Sequence, residues 1–242
     1  MSAIVRKLAW DTSFFGFPVA RVDCDEMSAL ELGDIIKNCN DADIKLLYLF
    51  VNHNDDKSVL ILNDAEAEIV DYKVTYVMDL VPSTLECRED CDLRVEKATE
   101  TTLQLESLAL QSGEFSRFRI DSKFPPFSFE RLYKLWLSNS LNGLIAKDVL
   151  VVRNEGGKES GLLTLGQKNG IADIGILAVD NEVRGKGIGR QLIAAAQRIA
   201  ISDKYKQMQV VTQSNNKLAC GFYERCGFEV AKEERVYHLW LK

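Results

Sequence analysis

Runs of apolar residues of strand length recur along the chain, separated by stretches whose apolar positions repeat at helical spacing. "KLLYLFV", residues 45–51, and "KVTYVMDL", residues 73–80, read as strands, the second rich in β-branched and aromatic residues. Residues 57–70 between them pattern as a helix. Pro82 and the charged "ECREDCD" mark a boundary near residues 82–92. Beyond it, "LRVEKATE" predicts a strand leading into a helix around 100–112. In "FSFERLYKLWLSNSL", Phe129, Leu132, Trp136 and Leu137 form an apolar helical stripe. "KDVLVVRNE", "KESGLLTLGQ" and "IADIGILAV" follow as three strands joined by reversals of an antiparallel sheet. A helix over 188–202, the strand "QMQVVTQ", a helix from Asn216 and a last strand in "ERVYHLWLK" complete the order. The pattern predicts a smaller N-terminal α/β unit over residues 1–90 and a larger α/β domain over 91–242.

One junction departs from this regular alternation. "VRGKGIGR", residues 183–190, sets Gly185, Gly187 and Gly189 at every other position between an apolar strand and an amphipathic helix. Ile188, Leu192, Ala195, Ala196 and Ile199 supply that helix with its buried face. Glycine permits a tight turn and close backbone approach, and the unbonded amides of a first helical turn attract a phosphate. Arg184 and Lys186 add charge at the rim. The spacing fits neither the dinucleotide fingerprint G-x-G-x-x-G nor a P-loop, which ends in G-K-[ST]. A flexible turn with two surface cations is the plainer account of these eight residues.

With 242 residues, 46% of them hydrophobic, the chain can fill one large core or two modest ones. Its formal charge of −6 argues against a broad nucleic-acid surface. No apolar run reaches the roughly 18 residues that span a bilayer, so membrane insertion is not expected, and the start lacks a secretory pattern. Six cysteines in a chain of this length read as reduced thiols of a cytoplasmic protein. Cys87 and Cys91 lack a partner pair, and His53 and His238 lie far apart in sequence, so no metal site is expected. Each histidine reads as structural or surface. In the first domain, Trp10, Phe14, Phe15 and Phe17 read as core, with Gly16 and Pro18 shaping a turn.

The strand "IGILAV", the loop "RGKGIG" and the following helix resemble the acyl-CoA-binding motif of the GNAT N-acetyltransferase superfamily, Q/R-x-x-G-x-G/A, through Arg184, Gly187 and Gly189. About thirty residues later, "NNKLACGFYERCGF" is similar to the second half of that signature, through Asn216, Ala219, Tyr223, Gly227 and Phe228. The resemblance implies a mixed, largely antiparallel sheet flanked by helices, with acetyl-CoA as co-substrate. It also implies a bulged strand that splays from its neighbour to make a slot. Main chain at Leu177, Ala178 and Val179 would pair with pantetheine, while amides from Arg184 through Gly185, Lys186, Gly187 and Ile188 to Gly189 receive the pyrophosphate. One backbone amide of that strand would polarise the thioester carbonyl. Tyr223 would protonate the departing thiolate; a tyrosine merely joining two elements is the bland account. Asn216 would position CoA or cap its helix. Cys226 reads as packing and Cys220 as incidental, and no side chain stands out as a general base.

"LAWDTSFFGFPVARV", "SGEFSRFRID" and "FERLYKLWLSNSLNG" further resemble the dTDP-fucosamine acetyltransferase family, which acetylates the 4-amino group of dTDP-4-amino-4,6-dideoxygalactose. That implies a nucleotide-linked amino sugar as acceptor and a role in polysaccharide precursor synthesis. Arg117 or Arg119 would meet the diphosphate and Phe118 would cover an apolar sugar or base surface; a loop packed by Phe118 and held by surface ion pairs is the alternative. Such enzymes often associate, which implies a homodimer through the final strand. Acetylation of another small amine or a protein N-terminus, and a catalytically silent acyl-CoA-binding domain, stay open.

Overall fold

The computed structural model describes residues 4–24, 26–81 and 95–242; the boundary expected near 82–92, with Cys87 and Cys91, lies outside them. The elements run β1 (Arg6–Lys7), α1 (Ala9–Phe15), β2 (Val19–Cys24), α2 (Ala29–Asp41), β3 (Leu46–Asn52), α3 (Asp56–Asp64) and β4 (Glu68–Asp79). They continue with β5 (Val95–Lys97), α4 (Leu103–Ser112), α5 (Arg117–Ile120), α6 (Ser128–Leu141), β6 (Asp148–Arg153), β7 (Glu159–Lys168) and β8 (Ile171–Val179). Last come α7 (Ile188–Ser202), β9 (Gln207–Gln213), α8 (Lys217–Arg225) and β10 (Glu229–Trp240).

These strands form one mixed sheet in the order β1-β2-β3-β10-β4-β9-β8-β7-β6-β5. Only β2–β3 and β8–β9 pair in parallel. β10 lies between β3 and β4, so a strand from the C-terminal end of the sequence joins two strands from its first eighty residues. Its backbone is therefore used on both edges within the chain, and β1 and β5 are the outer strands.

Helices cover both faces. α7 lays Ile188, Leu192, Ala195 and Ala196 on Leu163, Ile174 and Val210, with Tyr223 of α8 in the same cluster. On the opposite face α4 and α6 bring Leu105, Leu108 and Leu137 against Val149, Leu162 and Ile176. α2 and α3 pack Leu32, Ile35 and Leu62 on Leu47, Leu49 and Tyr237. The other side of β3 and β10 is aromatic, joining Phe15, Tyr48, Phe50 and Phe124 around Val236. Side-chain caps fix the helix starts, among them the Ser28–Glu31 capping box of α2 and Thr102 before α4.

Two expectations need correction. The helix expected over 57–70 stops at Asp64, and residues from Glu68 belong to a β4 longer than "KVTYVMDL". Pairing of β4 with β10 from Glu68 onward overrides the local helical pattern. Trp10 is not core: it stands half exposed, stacked on Phe14 at 5.1 Å, because the helical i, i+4 spacing pairs these two while Phe15 turns inward.

Candidate active site

Regular pairing fails along β8. Leu165 lies opposite Ile174 and Leu163 opposite Leu177, so Gly175 and Ile176 together face Thr164. This is a β-bulge, and Thr164 Oγ1 accepts from the Ile176 N–H at 2.8 Å, satisfying a donor displaced from the ladder. Gly175 lets the strand fold this closely: a Cβ there would stand 2.9 Å from Thr164 Oγ1 and 3.3 Å from Trp136 Nε1. On its other edge β8 pairs with β9 only through Ala172–Met208, Asp173–Gln209 and Ile174–Val210. Beyond Ile174 the two strands part. Leu177, Ala178 and Val179 lie along the resulting gap. The Ile176 amide is already bonded, so an amide that polarises a carbonyl in this gap belongs to another residue.

The glycine loop closes the wide end. Asp180 starts a short 3-10 turn over Asn181–Val183, accepting from the Glu182 N–H at 3.1 Å and from Gln104 Nε2 at 2.9 Å. The Glu182 bond, with Lys158 and Gln104 adding to it, holds the Asp180 carboxyl below its usual range. Gly187 then starts α7 with φ of +83°, a left-handed conformation costly to other L residues, and offers no capping side chain. Among the described residues, no well-formed hydrogen bond runs from amides 185–190 to a protein acceptor. The Val183 N–H bonds Asp180 O before them and the Gln191 N–H bonds Gly187 O after them. These amides, at the positive end of a fifteen-residue helix, form an anion-attracting surface. Arg184 folds back, its Nε donating to Val179 O at 3.1 Å. Gly185 and Lys186 are exposed; Ile188 anchors the core, and Gly189 packs under Phe222.

Tyr223 is carried on α8, whose N-cap is Asn216: its side chain accepts from the Ala219 N–H at 3.1 Å. The Tyr223 ring is buried among Tyr76, Phe222 and Phe228 at centroid separations of 5.9, 5.4 and 5.8 Å. Burial, reinforced by the Cys226 and Cys220 thiols, raises its pKa. The phenol therefore keeps its proton at neutral pH. Cys226 is buried in the same core, and Cys220 rests its sulfur 3.5 Å from Gln213 O.

The opposite face of the sheet carries groups the sequence did not single out. Asp173 and Gln209 form the middle rung of the β8–β9 ladder, and Gln209 Nε2 donates to Asp173 Oδ1 at 2.7 Å. Their strand neighbours Ile174 and Val210 pack in the cluster that contains Tyr223, so Asp173 points away from that face. Further along, Gln213 pairs with Lys73 of β4, and Asp71 lies two residues before Lys73 on the same face. Asp71 is 8% exposed and its Oδ1 has no hydrogen-bond partner. Burial pushes its pKa up to about 6, with Arg117 and Gln213 opposing the shift.

Arg117, Phe118 and Arg119 diverge on the single turn of α5. The Arg117 guanidinium lies 4.6 Å from the Tyr48 ring centroid, 4.7 Å from Phe118 and 5.3 Å from Phe50, with Nε buried and unpartnered. Phe118 packs against Phe15 and Phe124. Arg119 turns outward over Phe129. Thus only Arg117 reaches the neighbourhood of Asp71. His238 has a structural place: its Nδ1 is 2.6 Å from Asp121 Oδ2, which also accepts from Trp240 Nε1 at 3.0 Å. Burial lowers the His238 pKa to about 4. Since Asp121 ends α5, this contact ties Arg117's helix to β10. His53 is in the loop after β3, its amide bonded to Glu233 O.

Residues 146–230 match the acetyltransferase (GNAT) domain family. The chain is 26% identical over 240 residues to dTDP-fucosamine acetyltransferase of Escherichia coli O6:H1, covering 98% of each. It is 31% identical over 87 residues to streptothricin acetyltransferase of Escherichia coli, a match covering 30% of this chain and 50% of that one. The chain thus spans about half the length of that second relative. A GCN5-related N-acetyltransferase from Sphaerobacter thermophilus has the same fold, with a TM-score of 0.60 at 13% identity, over 100% of this chain and 77% of its own.

Proposed function

The chain is an acetyltransferase of the GNAT type, and on that premise we propose that it transfers the acetyl group of acetyl-CoA to a nucleotide-linked amino sugar. The observation that carries the reading is the gap between β8 and β9, with the unbonded amides of residues 185–190 at its open end. GNAT acetyltransferases use acetyl-CoA. Here the amides from Arg184 through Gly189 hold its diphosphate, helped by the charges of Arg184 and Lys186. The backbone of Leu177, Ala178 and Val179 pairs with pantetheine, itself a chain of amides, as a strand would. Asn216 fixes the start of α8 and so the position of Tyr223.

The acceptor amine attacks the thioester carbonyl directly, forming the C–N bond before the C–S bond breaks. Asp173, on the face opposite Tyr223, takes one proton from the ammonium through water. Tyr223 protonates the departing sulfur, and the phenolate recovers a proton from the nitrogen that has been acylated. One proton thus leaves for solvent and one ends on CoA. No cysteine is acylated.

Whole-length similarity to dTDP-fucosamine acetyltransferase supports the 4-amino group of dTDP-4-amino-4,6-dideoxygalactose as the acceptor. Arg117 faces the diphosphate side of such a molecule, a charge-assisted contact suited to guanidinium. With acetyl-CoA as donor and few cysteines for a chain of this length, the cytoplasm is its compartment. Transfer to a streptothricin-like amine is the second reading, supported by the shorter match. The test is transfer of labelled acetyl to a panel of nucleotide-linked 4-amino sugars and to streptothricin, with product mass and amine position determined. Product from streptothricin and none from the nucleotide sugars would reverse the assignment.

A further inference from the structure

Asp71 and Arg117 approach each other across the acceptor face without forming an ion pair. Arg117 Nε and Asp71 Oδ1 are both buried with no hydrogen-bond partner. A buried donor or acceptor left unbonded costs about 1–3 kcal/mol, so an arrangement that strands both around one spot calls for a compensating partner. Close ion pairing would satisfy Asp71 and Arg117 directly. Instead, Arg117 is held back on the rings of Tyr48, Phe50 and Phe118. Asp71 is fixed by its place in β4, between β10 and the end of β9.

Asp11 is a second carboxylate near Arg117 and Tyr48, and the other cations around this spot are already paired. Arg21 lies 3.5 Å over Phe50 and is bonded to Asp23. Lys73 lies 5.5 Å from the same ring and is bonded to Glu234. Three cations therefore approach Phe50, and Arg117 alone among them forms no salt bridge with a described residue, although Asp71 and Asp11 both lie near it. A carboxylate and a guanidinium that lie near each other without pairing suit a molecule that offers a hydrogen-bond donor and an acceptor close together. The hydroxyls of a sugar ring do so, and a phosphate beyond them meets the cationic side.

We infer that Asp71 and Arg117 clamp the hydroxylated ring of a phosphorylated acceptor, Asp71 accepting from a ring hydroxyl and Arg117 donating to the ring or its phosphate. This rests on the nucleotide-sugar reading and names the residues that select for it. Both act on binding; neither is assigned a proton-transfer step.

The test compares wild type with Asp71→Asn, Arg117→Gln and Arg117→Lys. It uses dTDP-4-amino-4,6-dideoxygalactose and spermidine as acceptors, and calorimetric binding of dTDP-galactose, which has no amine to react. Each of Asp71→Asn and Arg117→Gln raises KM for the amino sugar and weakens dTDP-galactose by about tenfold to a hundredfold, the size of one charge-assisted hydrogen bond. Their kcat and acetyl-CoA affinity change less than about threefold, and Arg117→Lys recovers only part of the binding because it lacks the planar fork. Wild-type turnover of the amino sugar with unchanged KM and dTDP-galactose affinity in both variants overturns the clamp while leaving the acceptor assignment intact. Wild-type turnover of spermidine with no binding of dTDP-galactose overturns both.

Discussion

Tyr223 and Asp173 face away from each other across one sheet, at the rung where β8 leaves β9. A thioester carbonyl in the gap would therefore have an acid toward one face and a base toward the other. On the proposed mechanism that arrangement gives the two residues separate steps. It also predicts distinct signatures for the two. Tyr223→Phe, which keeps the ring packing, should lower kcat about a hundredfold with acetyl-CoA affinity unchanged. Asp173→Asn should instead depress the rate most at low pH, where the amine depends on help to lose its proton. Steady-state kinetics across pH 5.5–9.5, on an order-of-magnitude scale of effects, separate them. Full kcat in Tyr223→Phe would remove it from the chemistry.

Gly187→Ala should weaken acetyl-CoA but not acetyl-pantetheine. The left-handed φ of Gly187 costs alanine about 1 kcal/mol or more, and relief of that strain would turn the amides of the loop. Acetyl-pantetheine lacks the diphosphate those amides would hold. Calorimetry with both ligands gives the comparison; equal losses would mean that the loop shapes the gap and holds no anion.

Thr164→Val should destabilise the fold by about 1–3 kcal/mol, because the Ile176 N–H is left buried without its acceptor. Thr164→Ser retains the oxygen and should recover most of the loss. Urea unfolding measures both, and a valine variant as stable as wild type would mean that the bulge is held by other contacts.

Asp71→Asn should make the protein more stable at pH 7.5 while impairing acceptor binding. The folded carboxyl titrates near 6, above its ordinary value of 3.8, so the native state holds its proton longer than the unfolded chain. Stability therefore falls as pH rises from about 4 to 6 and stays lower above that. Arg117, Lys73 and Glu234 are the charged groups facing it, the first two moderating the cost and the third adding to it. Removing the charge should raise stability at pH 7.5 by on the order of 2 kcal/mol, with the difference vanishing below pH 4. Thermal melts across that range suffice; a variant less stable at pH 7.5 would contradict the assignment.

Elements with an uninterrupted local pattern were legible in the sequence. α7 occupies residues 188–202 as its apolar face predicts, β6, β8 and β9 fall within the expected runs, and β7 passes the end of its run by one residue. Asn216 and the glycines of the α7 loop carried local signals because capping and positive φ are properties of a few adjacent residues. Asp71 and Asp173 did not. Each is a single acidic residue inside a strand, and its surroundings come from β9, β10 and α5, far away in sequence. Arg117 was singled out, but the outward turn of Arg119 depends on Phe129 in another helix. β4 was read too short because its partner β10 lies more than 160 residues away, as the Lys73–Glu234 pair marks with a separation of 161.

That same separation sets the timetable of folding. During synthesis β3 and β4 leave the ribosome long before the strand that joins them, so neither of their facing edges can be filled until β10 emerges. Loop closure over such a distance is slow, and exposed strand edges recruit other chains in the meantime. Deleting residues 229–240 should therefore divide the sheet between β3 and β4 and yield insoluble protein even though the glycine loop before α7 and Tyr223 are retained.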